Sequence, residues 1–182
     1  MKVTSTAFTE GGNIPSKFTC DGPDLSPPLK VEGAPAEAKA LLMVVDDPDA
    51  PSGLFTHWLV WNLDPKSGSI PEDGAPGGTE GKNDFGKTGY GGPCPPSGSH
   101  RYYFRVYALD QPLSVADRGD VRVSDEVNRV GRIQRGDTAG IDGVPRVDDH
   151  VVVGASENSQ ELLDGAHVLC IRTIELFRRR DD

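Results

Sequence analysis

The chain has 182 residues, near the usual size of one domain, and its 28 Asp and Glu against 19 Lys and Arg give a formal net charge of −9. This charge argues against a general nucleic-acid or anionic-membrane surface, so an anion site has to be local. The 22 Gly and 15 Pro favour short strands joined by turns over long helices. We therefore expect one mainly β domain over residues 1–182.

The cysteines and the apolar segments indicate where the protein resides. Cys20, Cys94 and Cys170 are odd in number, far apart and without a CxxC pair, which predicts reduced thiols, no structural metal and a cytoplasmic protein. No apolar stretch approaches the roughly 20 residues needed to span a bilayer. Polar residues follow Met1 directly, so we expect neither a membrane span nor a signal peptide.

Four segments rich in β-branched and aromatic residues predict the main strands. In chain order they are 40–46, 56–63, 101–109 and 166–177. The segment between the second and third, residues 64–99, is dense in Gly and Pro and predicts an ordered functional loop without regular elements. Helical signals at 124–133 and 159–165 predict one or two short helices.

Two aspartates follow the first of these strands in D-D-P-D-A-P-S, residues 46–52. The prolines restrict the backbone, so Asp47 and Asp49 are expected to project from a rigid turn. An ordinary turn at a strand end explains the same residues equally well, because Asp and Pro are common turn formers.

A histidine lies at the start of the second strand. Strict alternation places His57 on the same face as Leu59, Trp61 and Leu63. A single histidine on an apolar face is more often a packed residue than a ligand-binding one. The functional alternative is an imidazole that donates to a ligand and is oriented by a carboxylate on its other nitrogen.

A second histidine begins the third strand in the same manner. His100 shares a face with Tyr102 and Phe104 by alternation. Tyr102 either donates its hydroxyl to an anion or packs as a buried aromatic residue.

These motifs together resemble the phosphatidylethanolamine-binding protein family, most closely its bacterial and archaeal Raf-kinase-inhibitor-like branch. The resemblance rests on T-C-D-G-P-D-L-S-P-P-L at 19–29, D-D-P-D-A-P at 46–51, H-W-L-V-W-N-L at 57–63, D-F-G-K-T-G-Y-G-G-P-C-P-P-S-G-S-H-R-Y at 84–102 and, more weakly, G-A-H-V-L at 165–169. It covers the first 110 or so residues almost continuously. After about Leu113 the chain departs from the family pattern, with a longer stretch at 115–155 that is either an extra hairpin or the result of sequence drift. Phe177 also stands where many relatives carry tyrosine.

The resemblance implies a β-sandwich of two antiparallel sheets with Greek-key connections and a small pocket at one end for phosphate, acetate or a phosphorylated headgroup such as phosphoethanolamine. The residues it implies as the lining are Asp47, Asp49, His57, Cys94 through its backbone amide, Pro95, Pro96, His100 and Tyr102. It implies no cofactor, no metal and no catalytic residue. It further implies modulation of a protein kinase or protease and, from the prokaryotic branch, a homodimer.

Carboxylates beside an anion need an electrostatic explanation, because like charges repel more strongly at low dielectric. An aspartate that accepts a hydrogen bond from one imidazole nitrogen favours the protonated ring, whose other N–H can then meet the anion. We expect Asp47 and Asp49 to act on His57 and His100 in this way, so that anion binding weakens as pH rises.

Two other site chemistries use the same residue types. A hydrolase acting on a phosphoester or ester would use a His base and an orienting Asp, but no G-x-S-x-G motif occurs and Cys94 has no cationic neighbour in sequence. Two His with carboxylates can also bind a metal, but no H-x-H or H-E-x-x-H spacing is present.

Overall fold

A computed structural model describes residues 1–113 and 168–179 of the chain. These residues form eight strands: β1 (Lys2–Thr4), β2 (Leu29–Glu32), β3 (Ala40–Asp47), β4 (Phe55–Leu63), β5 (Ser69–Ile70), β6 (Thr79–Glu80), β7 (Ser99–Leu109) and β8 (Val168–Arg179). The helical structure in this part of the chain is a 3-10 turn at Ser16–Phe18. None of its helices has the length and apolar character to cross a bilayer.

The strands form two antiparallel sheets. The smaller sheet has the order β1-β2-β5, and the larger has the order β6-β4-β3-β7-β8. The predicted class, a mainly β fold of two antiparallel sheets, is confirmed. The helices predicted at 124–133 and 159–165 and the divergent stretch at 115–155 lie outside the described residues.

All four predicted main strands are present as β3, β4, β7 and β8, with ends within about two residues of those expected. The prediction that residues 64–99 hold no regular element was wrong, because β5 and β6 lie there. Each has two residues, too few for a periodic pattern, and each is stabilised by pairing with a longer strand: β5 with β2, and β6 with β4.

The main core lies between the two sheets. Val3, Val31 and Ile70 from the smaller sheet belong to one buried cluster with residues of β3, β4 and β7, such as Met43 and Phe104. A second buried cluster contains side chains of opposite parity on the same three strands: Ala40, Leu42, Val44, Leu59, Trp61, Tyr107 and Leu109, together with Leu113. The larger sheet is therefore apolar on both faces, as expected for a central layer.

A bulge interrupts β4 at His57. Val45 pairs with Trp58, but the next residue of β3, Asp46, pairs with Thr56, so His57 is an extra residue on β4. A bulge bends its strand and redirects the side chain of the extra residue. Simple alternation therefore does not determine the direction of His57.

A second bulge lies at the other end of β4. The pairs Leu41–Leu63 and Met43–Val60 enclose one extra β4 residue, and Asn62 there has a φ of 58°. Leu63 consequently packs in the cluster between the sheets, whereas Leu59 and Trp61 belong to the other cluster. The prediction that these three side chains share a face was wrong for Leu63.

A disulfide links Cys20 to Cys94, 74 residues later in the sequence. The two chain segments run side by side, and the Cys20 N–H donates to the Pro93 carbonyl at 3.2 Å. The resulting Cα separation of 5.4 Å lies within the range that a disulfide bridges. The prediction of reduced thiols was wrong for this pair, because long-range contact rather than sequence spacing brings the two cysteines together.

Candidate functional site

The candidate site lies at one edge of the larger sheet, where buried polar side chains follow the apolar residues of β3 and β7. Asp47 ends β3, and His100 lies near the start of the adjacent antiparallel strand β7. Tyr102 alternates with His100 on the same side of β7, and both are buried. Opposite strand directions thus bring the end of β3 and the beginning of β7 to the same sheet edge.

Asp47 and His100 form a buried pair. The Nδ1 of His100 lies 2.7 Å from Asp47 Oδ2, and the Asp49 N–H donates to Asp47 Oδ1 at 2.8 Å. Asp47 and His100 are only 3% and 8% exposed. Since the carboxylate accepts at both oxygens, Nδ1 of His100 is the protonated nitrogen and Nε2 is left for a ligand.

Asp49 has a different partner from the one expected. The guanidinium of Arg101 donates to both carboxylate oxygens, Nη2 to Oδ1 at 2.6 Å and Nε to Oδ2 at 2.8 Å, and the Arg101 N–H donates to Oδ2 at 2.9 Å. The Arg101 side chain lowers the pKa of Asp49 to about 2. The expected hydrogen bond from a histidine to Asp49 was wrong, because the carboxylate binds Arg101 and so fastens the 47–49 turn to β7. Asp49 acts on His100 through its charge alone.

His57 is held by the backbone rather than by an aspartate. Its Nδ1 lies 2.7 Å from the Gly91 carbonyl oxygen, and the side chain is buried. Burial lowers the pKa of His57, while the Gly91 carbonyl and the nearby Asp47 carboxylate act in the opposite direction without overcoming it. A neutral ring that donates from Nδ1 presents an acceptor lone pair at Nε2. The expected aspartate hydrogen-bond partner is therefore wrong for His57, and the lowered pKa disfavours the expected protonated state.

Three aromatic rings surround His57. Its ring centroid lies 5.1 Å from Phe55, 5.3 Å from Phe85 and 5.2 Å from Tyr102, the last two in edge-to-face contacts. Phe85 is 45% exposed although it also contacts Phe55. Neither phenylalanine was among the predicted site residues, although Phe55 adjoins the strand motif and Phe85 lies within the 84–102 motif.

The loop that carries Gly91 is anchored to the 18–24 segment. The Tyr90 hydroxyl donates to the Phe18 carbonyl at 2.7 Å, and the Gly92 N–H donates to Asp24 Oδ1 at 2.8 Å. A Cβ at position 92 would lie 2.2 Å from Asp24 Oδ1, so this approach requires glycine. Gly91 and Asp24 were also missed, although both lie in the motifs at 84–102 and 19–29.

The remaining predicted lining residues precede β7. Cys94 is half-buried and bridged to Cys20, Pro95 is buried and Pro96 is exposed. They occupy the short connection between Pro93 and the first residue of β7. Contact of these three residues with a ligand stays a prediction.

The described residues contain no group of three or more His, Cys, Asp or Glu side chains arranged to hold a metal ion. Asp47 and His100 bind each other, and His57 binds a backbone carbonyl. In these three residues, Asp47 Oδ2, His100 Nδ1 and His57 Nδ1 therefore form hydrogen bonds within the protein.

The sequence model of the family described as phosphatidylethanolamine-binding protein matches residues 4–139. The chain belongs to this family. The match covers all the residues of the candidate site as well as β2 to β7.

Archaeal relatives in this family are similar over much of the chain. A UPF0098 protein of Archaeoglobus fulgidus is 55% identical over 118 residues, 61% of this chain but 41% of that protein. A UPF0098 protein of Methanothermobacter thermautotrophicus is 45% identical over 151 residues, 75% of this chain and 100% of that protein.

Two solved structures share the fold. CT736 of Chlamydia trachomatis, described as a phosphatidylethanolamine-binding protein homologue, has a TM-score of 0.71 and 32% identity over 98% of this chain and 97% of its own. Escherichia coli YbcL, described as a member of the mammalian PEBP family, has a TM-score of 0.71 and 25% identity over 99% of this chain and 98% of its own.

Proposed function

We propose that the site formed by Asp47, His57, His100 and Tyr102 binds a small phosphate-type anion, either free phosphate or a phosphorylated headgroup. The observation that carries this proposal is the buried Asp47–His100 pair, in which the carboxylate orients the imidazole and leaves Nε2 for a ligand. The family's description, which names phosphatidylethanolamine, supports the same ligand chemistry because that lipid contains a phosphate.

The two histidines offer complementary hydrogen-bonding groups. When protonated, His100 donates from Nδ1 to Asp47 and offers an N–H at Nε2 to an anion. Neutral His57 donates from Nδ1 to Gly91 and offers an acceptor at Nε2. A monoanionic phosphate carries both unprotonated oxygens and a hydroxyl, so it matches one donor and one acceptor.

The Asp47 carboxylate does not need to contact the anion directly. Its two oxygens accept from His100 and from the Asp49 backbone, and the Asp49 carboxylate is paired with Arg101. Both negative charges are therefore compensated by hydrogen bonds within the protein, which reduces their repulsion of a bound phosphate.

A hydrolase acting on a phosphoester or ester is the alternative, and the Asp47–His100 pair favours it because such enzymes orient a histidine base with a carboxylate. Cys94, the thiol considered as a nucleophile, has its sulfur bonded to Cys20. Turnover of these substrates that disappears in His100→Ala would support the hydrolase. Modulation of a kinase or protease, a homodimer and a cytoplasmic location stay predictions.

The variant Asp47→Asn tests the proposed site most simply. We expect phosphate binding to weaken by roughly fivefold or more, about 1 kcal/mol, because an oriented charge-assisted hydrogen bond to His100 is lost. Isothermal titration calorimetry with inorganic phosphate measures the change. The control Asp64→Asn removes the same charge from an exposed turn and should bind phosphate as the parent does. Unchanged or tighter phosphate binding in Asp47→Asn would contradict the proposal, because the Asp47–His100 pair would then contribute nothing to anion binding.

A further inference from the structure

The Cys20–Cys94 disulfide lies beside the candidate site and joins two of its supporting loops. Cys94 comes three residues after Gly91, which holds His57, and six residues before His100. The segment 94–98 between the bridge and β7 contains the predicted lining residues Pro95 and Pro96. The bridge is thus a covalent tie at the start of the connection that leads to the ligand-binding histidine.

The bridge is not the sole link between the loops. Tyr90 donates to the Phe18 carbonyl, Cys20 donates to the Pro93 carbonyl, and Gly92 donates to Asp24. These hydrogen bonds fix residues 90–93 and do not require a sulfur–sulfur bond. Opening the bridge would therefore leave the Gly91–His57 contact in place and remove the covalent restraint on Cys94, the first residue of the 94–98 segment.

The two cysteines of the bridge differ in exposure. Cys20 is exposed, whereas Cys94 is half-buried. A thiolate attacks a disulfide along the sulfur–sulfur axis and needs access to one of the two sulfurs. The exposure of Cys20 makes it the end of the bridge that an external thiol reaches first.

We propose that the Cys20–Cys94 bridge is a thiol–disulfide exchange site, through which a dithiol reductant weakens anion binding at the neighbouring site. This rests on the proposed phosphate-binding function. A thiolate of the dithiol bonds to the Cys20 sulfur, the Cys94 sulfur leaves with the bonding electron pair and takes a proton, and the second thiolate of the dithiol then displaces Cys20. The protein gains two electrons and two protons, and the dithiol becomes a disulfide.

Binding weakens because Cys94 loses its covalent link to Cys20, so the 94–98 segment is less restrained between Pro93 and β7. A site whose binding geometry is populated only part of the time has a dissociation constant raised in proportion. We expect roughly tenfold weaker phosphate binding in the reduced protein, the value for a segment in its bound geometry about a tenth of the time.

The experiment compares oxidised and dithiothreitol-reduced protein in the Cys170→Ser background, where Cys20 and Cys94 are the remaining cysteines. Thiol counting confirms the redox state, calorimetry with inorganic phosphate measures affinity, and circular dichroism checks folding. The variant Cys20→Ser, which cannot form the bridge, should bind like the reduced protein and be indifferent to dithiothreitol. Reoxidation should restore tight binding in the Cys170→Ser protein but not in Cys20→Ser.

Three results would overturn the exchange site: equal phosphate affinity in both redox states, resistance of the bridge to dithiothreitol, or loss of the fold on reduction. The last result would make the bridge a structural crosslink. If neither redox state binds phosphate, the proposed function fails independently of the bridge. In that case the ring resonances of His100 decide the redox proposal, because a bridge that controls this region shifts them reversibly and an unconnected bridge leaves them unchanged.

Discussion

His57 and His100 are the same residue type in opposite chemical environments. His100 donates to a carboxylate, whereas His57 donates to the Gly91 carbonyl among aromatic rings, where burial disfavours the cation. The two rings are therefore suited to different tasks, one to donating and the other to accepting a hydrogen bond at Nε2.

The titration of His57 tests this assignment at the level of one residue. We expect its ring to titrate below about 6.5, the ordinary histidine value, because burial lowers its pKa. The folded protein then binds fewer protons than the unfolded chain just below that pH, so the free energy of unfolding falls as pH drops through this range. NMR of the ring Hε1 resonance, assigned by its absence in His57→Gln, measures the midpoint. A midpoint at or above 6.5 would contradict a buried neutral ring.

The order of motifs predicted which residues gather, and the structure determines how they pair. Asp47, His100 and Tyr102 were expected together, and they lie at one end of β3 and β7. The partners of Asp49 and His57 were not predictable from the local pattern, because one is an arginine 52 residues away and the other is a carbonyl 34 residues away. The Cys20–Cys94 bridge has the same origin in tertiary contact.

Among the elements, β4 shows most clearly where sequence periodicity stops being informative. Its length and its β-branched and aromatic residues predict a strand, and the strand is present. Two bulges then change the face of His57 and Leu63 relative to strict alternation. Long strands are predictable because many residues share one pattern, whereas a bulge depends on one backbone conformation and on the register of neighbouring strands.

Asn62 supports the second bulge in two ways. Its φ is 58°, and its side chain both donates to the Leu113 carbonyl at 2.9 Å and accepts from the Leu113 N–H at 2.8 Å. Asn62→Gly and Asn62→Ala both lose these bonds, at a cost of about 1–3 kcal/mol. Asn62→Ala should lose about 1 kcal/mol more, because alanine is strained at positive φ.

Urea denaturation measures both Asn62 variants against the parent. The pair forms a matched test, since the side-chain hydrogen bonds are absent from each and only the backbone strain differs. Equal free energies of unfolding for the two variants would show that the conformation of Asn62 contributes nothing to the stability of the bulge.

For the whole molecule, the net charge of −9 repels anions, so a bound anion has to be attracted by the groups of the site itself. Its acidic groups nearest the site are themselves bound, Asp47 by His100 and Asp49 by Arg101, so the local field differs from the overall charge. Two antiparallel sheets support this arrangement, because the larger sheet places the end of β3 between the bulge of β4 and the start of β7.

The pH dependence of phosphate binding tests the central claim most directly. NMR titration of the protein with inorganic phosphate, from mildly acidic to alkaline pH, should show affinity falling as pH rises, because an uncharged imidazole whose Nδ1–H is committed to Asp47 has no N–H at Nε2 to donate to the anion. His100→Gln should bind weakly with little of this dependence. Phosphate gains negative charge over the same range, so a simple cationic site would bind it more tightly. Affinity that is constant or increases with pH would contradict the claim that a protonated His100, oriented by Asp47, holds the anion.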